Sequence, residues 1–177
     1  MEHTTELNQN FATEIIYCGI GQHESVLHFG ACDKGLDFLK TLDEFGLDIE
    51  YTAVDVDEEV NTLFSDFQPL ERTHPWTTVQ ASMQEFIDEV DFERFNWSII
   101  TGVFDKPKYS ERQYQFIDTV VRKCIEFSDN VLFTIDENAS ASFKYSMIYL
   151  YSHFTNQYDK VTVKKITDGK YIFHISK

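Results

Sequence analysis

The sequence predicts an α/β domain: a mostly parallel, seven-stranded sheet with helices on both faces, closed by an antiparallel hairpin. Three observations lead there. Short apolar runs rich in β-branched and aromatic residues alternate with longer segments of helical period, the pattern of βαβ units. The run "NVLFTID" is apolar nearly throughout, as suits a strand covered on both faces. The final segment, "DKVTVKKITDGKYIFHISK", sets Asp168-Gly169 between two strand-like runs, and a two-residue turn needs the positive φ that Asp-Gly tolerates.

Taken in order, the first strand is expected over 25–31, "SVLHFGA", and a helix follows with Leu36, Phe38, Leu39, Leu42 and Phe45 on its stripe and Gly46 as its stop. "IEYTAVDV" reads as the second strand and "DEEVNTLFSDF" as a helix with Asp57, Glu58 and Glu59 at its positive end. Pro69 and Pro75 mark the way out. "TTVQAS" is the third strand, then comes a mixed stretch with Phe86, Ile87, Val90 and Phe92, and "WSIITGVF" is the fourth. A helix over 110–127 starts at the N-cap candidate Ser110 and carries Phe116, Ile117, Val120, Val121, Cys124 and Ile125 on one face. "SFKYSMIYLYSHFTNQY" repeats Phe143, Met147, Leu150, Tyr151 and Phe154 at helical spacing, which reads as core.

The 177 residues fit one domain. Residues 25–177 are expected to form it, and residues 1–24, with Phe11, Tyr17 and His23, to be an N-terminal segment able to act as a lid. The N-terminus lacks a basic stretch followed by an apolar run, and no stretch approaches the roughly 20 apolar residues of a membrane span, so a cytoplasmic protein without membrane contact is expected. Cys18, Cys32 and Cys124 lack CxxC spacing and indicate neither a disulfide framework nor a zinc site. The net charge of −15 is concentrated early: residues 1–105 hold 22 of the 30 acids and 4 of the 15 Lys and Arg. A polyanion would be repelled there, which argues against nucleic acid as a partner and for a small-molecule or protein substrate, despite a basic strip at Lys106, Lys108 and Arg112.

In an open parallel sheet, ligands bind beyond the carboxyl ends of the strands where the strand order reverses, and the turn after the first strand lies there. Gly30 lets the backbone pass close to a ligand, and a helix starting near Gly35 would turn its free N–H groups to the same place. Asp55 ends the second strand at the chain distance where a ribose diol is commonly gripped. A glycine turn with an acidic strand end points to a nucleoside-containing ligand.

The motifs "VLHFGACDKG", "YTAVDVDEE", "TTVQASMQEF" and "NWSIITGVFD", with the closing hairpin, resemble the class I S-adenosylmethionine-dependent methyltransferases, a Rossmann-like superfamily, over residues 25–177. The resemblance implies S-adenosylmethionine as cofactor and S-adenosylhomocysteine as product. It implies Gly30 and Ala31 against the methionine part, Asp55 on the ribose, Val56, Ser82 and Met83 at the adenine, and Gly102 at the amino-acid end; no catalytic residue is assigned. Several positions depart from the pattern: His28 replaces the usual acid of the first motif, Cys32 and Lys34 stand at usual glycines, and Ser82 is not Asp. Asp105, Asp136 and Asn138 loosely resemble the magnesium site of catechol-type O-methyltransferases, against their plainer reading as loop residues near helix starts. "GVFDKPKY" lacks the Pro-Pro-aromatic motif that receives an exocyclic amine, which argues against nucleobase amino-methylation. Two rivals remain: a methyltransferase-like binding protein without catalysis, and an acidic protein that imitates nucleic acid.

Overall fold

The computed structural model describes residues 11–65, 67, 73–89, 94–104, 113–138, 147–167 and 169–177. Helix α1 covers 11–17, and the chain then runs through β1 (Ser25–Phe29), α2 (Cys32–Glu44), β2 (Glu50–Asp55), α3 (Glu59–Ser65), β3 (Trp76–Gln80), α4 (Met83–Glu89) and β4 (Phe95–Ile100). Helix α5 (Gln113–Phe127), β5 (Ser128–Asp136), α6 (Met147–Thr155), β6 (Lys160–Thr167) and β7 (Lys170–Ser176) complete it. Every expected strand is present, most with slightly different ends. Ser110, Lys106, Lys108, Arg112, Val90, Phe92 and Phe143 lie outside the described residues.

One seven-stranded sheet carries the order β3-β2-β1-β4-β5-β7-β6. The pairs β1–β2, β1–β4, β2–β3 and β4–β5 are parallel, whereas β7 runs antiparallel to both β5 and β6. Thr167 pairs with Lys170 and Gly169 has φ +73°, while Asp168 of the expected turn lies outside the described residues. The order reverses between β1 and β4, so the chain leaves a crevice at the carboxyl end of β1.

Side chains alternate across this sheet because successive residues of a strand face opposite ways. Val26, Tyr51, Trp97, Ile99 and Leu132 face α1, α2 and α3. Leu27, Phe29, Val54, Ile100 and Phe133 face α4, α5 and α6. Helices therefore cover both faces. On α6, Met147, Leu150 and Phe154 are buried, but Tyr151 is exposed, since the helix buries only the side turned to the sheet.

Two expectations are corrected here. The described part of the N-terminal segment is a core element, not a lid: Phe11, Ala12, Ile15 and Ile20 are buried with Phe38, Leu39 and Leu42, and Glu14 forms an ion pair with Lys164 of β6. Burying that apolar stripe against α2 removes it from water, which favours the docked position. Helix α2 begins at Cys32 with Ala31 as N-cap, three residues before Gly35. Gly35 is thus inside the helix, where a β-carbon would lie 2.6 Å from the Tyr51 hydroxyl and 2.9 Å from Ala31 Cβ. Gly35→Ala is expected to cost about 1–3 kcal/mol through overpacking, despite the roughly 1 kcal/mol that alanine gains in a helix. Urea unfolding midpoints measure it; a more stable variant would show that this helix approach has slack.

Candidate functional site

A cleft opens at the carboxyl ends of β1 and β2, beside the reversal of strand order, with a cavity of about 190 Å³. Five expected residues line it: Gly30, Asp55, Val56, Ser82 and Met83. Phe29 and Val54 form its floor, and Val103 and Phe116 stand on the β4 and α5 side. The expected residues Ala31, Gly35 and Gly102 are not among its walls. Ala31 and Gly35 are buried on the α2 side, while Gly102 is half-buried beyond β4.

Gly30 is demanded by its surroundings. Its φ is +70°, its N–H donates to the Val54 carbonyl (2.9 Å), and its own carbonyl accepts from the Thr101 hydroxyl (2.9 Å). A β-carbon there would overlap the Thr101 carbonyl oxygen and lie 3.0 Å from Val103 Cγ2. Gly30 thereby joins the ends of β1, β2 and β4.

Asp55 is buried, and its carboxylate accepts the Cys32 N–H (3.1 Å) on one oxygen and the Asp57 N–H (3.1 Å) on the other. It caps α2 in place of a side chain from Ala31, which makes none. A carboxylate offers about four acceptor positions, so this capping leaves capacity for a diol. Ser82 caps α4 with Glu85 in a reciprocal box: Ser82 N–H donates to Glu85 Oε2 (2.8 Å) and Glu85 N–H to Ser82 Oγ (3.2 Å). The Ser82 hydroxyl first, and then the Ser82 N–H, donate to the Glu85 carboxylate and hold its carboxyl below its ordinary range.

His28, at the position of the family's usual acid, is wholly buried on the α2 face of the sheet, its ring edge-on to Phe38 and Tyr51. Its Nδ1 lies 2.6 Å from the Tyr51 hydroxyl and its Nε2 2.8 Å from Thr101 Oγ1. Thr101 gives its proton to the Gly30 carbonyl, so its oxygen must accept from the imidazole. His28 is therefore the neutral Nε2–H tautomer, and Tyr51 donates to Nδ1. Burial, with a smaller contribution from the Lys34 charge, pushes its pKa down to about 3. The Lys34 ammonium lies 2.8 Å from where a Gly102 β-carbon would stand, on the methionine side of the expected cofactor position.

The magnesium resemblance gains no geometry. Asp105 lies outside the described residues. One Asp136 oxygen accepts the Asn138 N–H (2.9 Å) and the other faces the Lys170 ammonium at 3.4 Å, a tight turn joined to an ion pair.

No family model and no curated protein matches this sequence. Solved structures do match in shape. The monomeric form of WbdD, a bifunctional kinase-methyltransferase, superposes with TM-score 0.66 at 13% identity over 99% of this chain, which spans 40% of WbdD. The fold is that of the class I methyltransferases. The methyltransferase domain of bacterial CtHen1-CN shares this fold with TM-score 0.62 and 15% identity, covering 97% of this chain and 100% of that one. M. capricolum TrmK, solved with S-adenosylhomocysteine, shares the methyltransferase fold with TM-score 0.56 and 15% identity over 97% of this chain and 67% of its own. Among the described residues no helix is long and apolar enough to cross a membrane.

The expected residues that line the cleft stand at or just beyond strand ends. Phe116 and Val103 were missed as wall residues, because Phe116 reads as an ordinary member of the α5 core stripe and only tertiary packing turns its edge to the cleft. The capping role of Ser82 was missed although Ser82-Met83-Gln84-Glu85 spells the box outright.

Proposed function

We propose that the cleft binds S-adenosylmethionine and that the protein transfers its methyl group to a small-molecule or protein acceptor. The observation that carries this reading is the convergence of Gly30, Asp55, Val56, Ser82 and Met83 on one crevice at the strand reversal. The nucleoside half fits: Asp55 has acceptor capacity for the ribose hydroxyls, and half-exposed Val56 and the Met83 side chain offer apolar faces to a base, with Ser82 beside them at the cleft wall. The Lys34 ammonium beside Gly102 supplies a counter-charge for an amino-acid carboxylate. Bound there, the cofactor supplies an electrophilic methyl group on a sulfonium. The protein's share is alignment, which lowers a transfer barrier without a dedicated acid or base. The acidic first half disfavours nucleic acid as the acceptor.

A second reading, a methyltransferase-like binding protein without turnover, is favoured by the methionine half. Cys32 already opens the helix and engages Asp55, Lys34 crowds Gly102, and the 190 Å³ cavity is below the roughly 300–1000 Å³ usual for small-molecule sites.

Calorimetry with S-adenosylhomocysteine and with adenosine separates the two. The enzyme reading expects the homocysteine compound to bind at least tenfold more tightly than adenosine. It also expects Asp55→Ala to weaken both by about tenfold or more, one or two lost charge-assisted hydrogen bonds. Equal affinities would leave the methionine half unseated, and no heat at millimolar ligand would leave the second reading alone standing.

A further inference from the structure

We propose that His23, Asp48 and His74 form a binding site for one divalent transition-metal ion of the zinc class, at the end of the sheet opposite the cleft. Strands β1, β2 and β3 begin at Ser25, Glu50 and Trp76, so each of the three residues stands two positions before its strand. The parallel register pairs Ser25 with Glu50 and Tyr51 with Trp76, which sets the three strand entries side by side. Residues 25 and 26 apart in sequence thereby offer two imidazoles and a carboxylate whose ligand atoms all lie within 4.8 Å of one another.

The local structure aims them. His23 has φ +64°, alone among the described non-glycine residues in being positive, and its N–H donates to the Asp48 carbonyl (2.8 Å). Its ring meets that of His74 at 5.0 Å between centroids, tilted by 46°. His74 Nδ1 lies 3.0 Å from Asp48 Oδ2, and the Thr73 N–H (2.9 Å) and hydroxyl donate to the same oxygen, fixing the carboxylate. This outer clasp is the arrangement that orients metal ligands.

The plainer account is that Asp48 ties the entry of β3 to that of β2 and nothing more. It explains the Thr73 bonds, but not why an exposed second imidazole is held over the first. Two nitrogens and one oxygen suit zinc, cobalt, nickel or copper, whereas calcium and magnesium take oxygen alone. Bond lengths of about 2.0–2.1 Å place tetrahedral ligands about 3.4 Å apart. The His74–Asp48 pair is already at that scale, and the exposed His23 ring has to turn inward to reach it. With the ion in place, His74 carries its proton on Nε2 and gives Nδ1 to the metal. Three protein ligands leave a fourth position for water.

Chelator-treated protein titrated with zinc chloride is expected to take up one ion per chain with micromolar or tighter affinity. His23→Ala, at an exposed position, is expected to weaken uptake at least tenfold with unchanged circular dichroism, and His74→Ala to do the same. Cobalt is expected to give weak visible bands without intense thiolate absorption. S-adenosylhomocysteine titrations should not differ between wild type and His23→Ala, which separates this site from the cleft. Unchanged zinc uptake in His23→Ala, a thiolate band, or no uptake at ~100 μM zinc would each overturn the proposal.

Discussion

Replacing Gly30 with alanine is expected to destabilise the protein by more than about 3 kcal/mol, a large share of the 5–15 kcal/mol that holds a typical domain folded. Two costs add. The left-handed φ of +70° costs an alanine roughly 1–2 kcal/mol. The new β-carbon then meets the Thr101 carbonyl, a backbone atom that cannot swing aside while Thr101 N–H bonds the Phe29 carbonyl (3.0 Å). Gly46 supplies the control, since its φ is +68° and nothing lies within 4 Å of its would-be β-carbon. Gly46→Ala isolates the conformational cost. Urea midpoints should separate the two variants clearly; equal losses would mean the strand junction yields to a methyl group.

The second large effect is a pH dependence of stability set by His28. Its pKa is about 3 in the folded chain against 6.5 for an ordinary imidazole, so between those values the unfolded state binds a proton that the folded state refuses. Stability from this group is complete above about pH 6.5 and is lost as pH falls towards 3, at up to ~1.4 kcal/mol per pH unit. His28→Phe removes that proton uptake and should flatten the slope between about pH 6.5 and 4.5, a window above the titration of most carboxylates. At neutral pH it should be the weaker protein, by about 1–3 kcal/mol for each of the Tyr51 and Thr101 hydroxyls that loses the ring. Unfolding curves at several pH values test both halves, and parallel slopes for the two proteins would refute the assignment.

Legibility in the sequence followed the range of the interaction. Alternation and helical stripes are local, and they revealed every strand as well as the hairpin turn. The strand-end residues Gly30 and Asp55 were readable for the same reason, because their positions follow from where β1 and β2 stop. What escaped depends on contacts between distant segments. The earlier start of α2 follows from Asp55 capping Cys32 N–H across 23 residues, which no scan of "ACDKG" alone displays. His28 reads as a departure from a motif, yet its ring has become the link between Tyr51 and Thr101, 23 and 73 residues away. The N-terminal segment was read only as a stretch holding Phe11, Tyr17 and His23, and the docking of Phe11, Ala12 and Ile15 against α2 depends on residues more than 20 positions away.

The antiparallel strand β7 lies between β5 and β6, though it is made after both. As the chain leaves the ribosome, β6 therefore emerges without the neighbour it pairs with and waits for the stretch Lys170–Ser176 to thread into the gap. Phe173 and Ile175, buried in that stretch, join the core only after β6 has been made. Until that strand is in place, the outer edge of β5 has no partner and β6 has no place in the sheet.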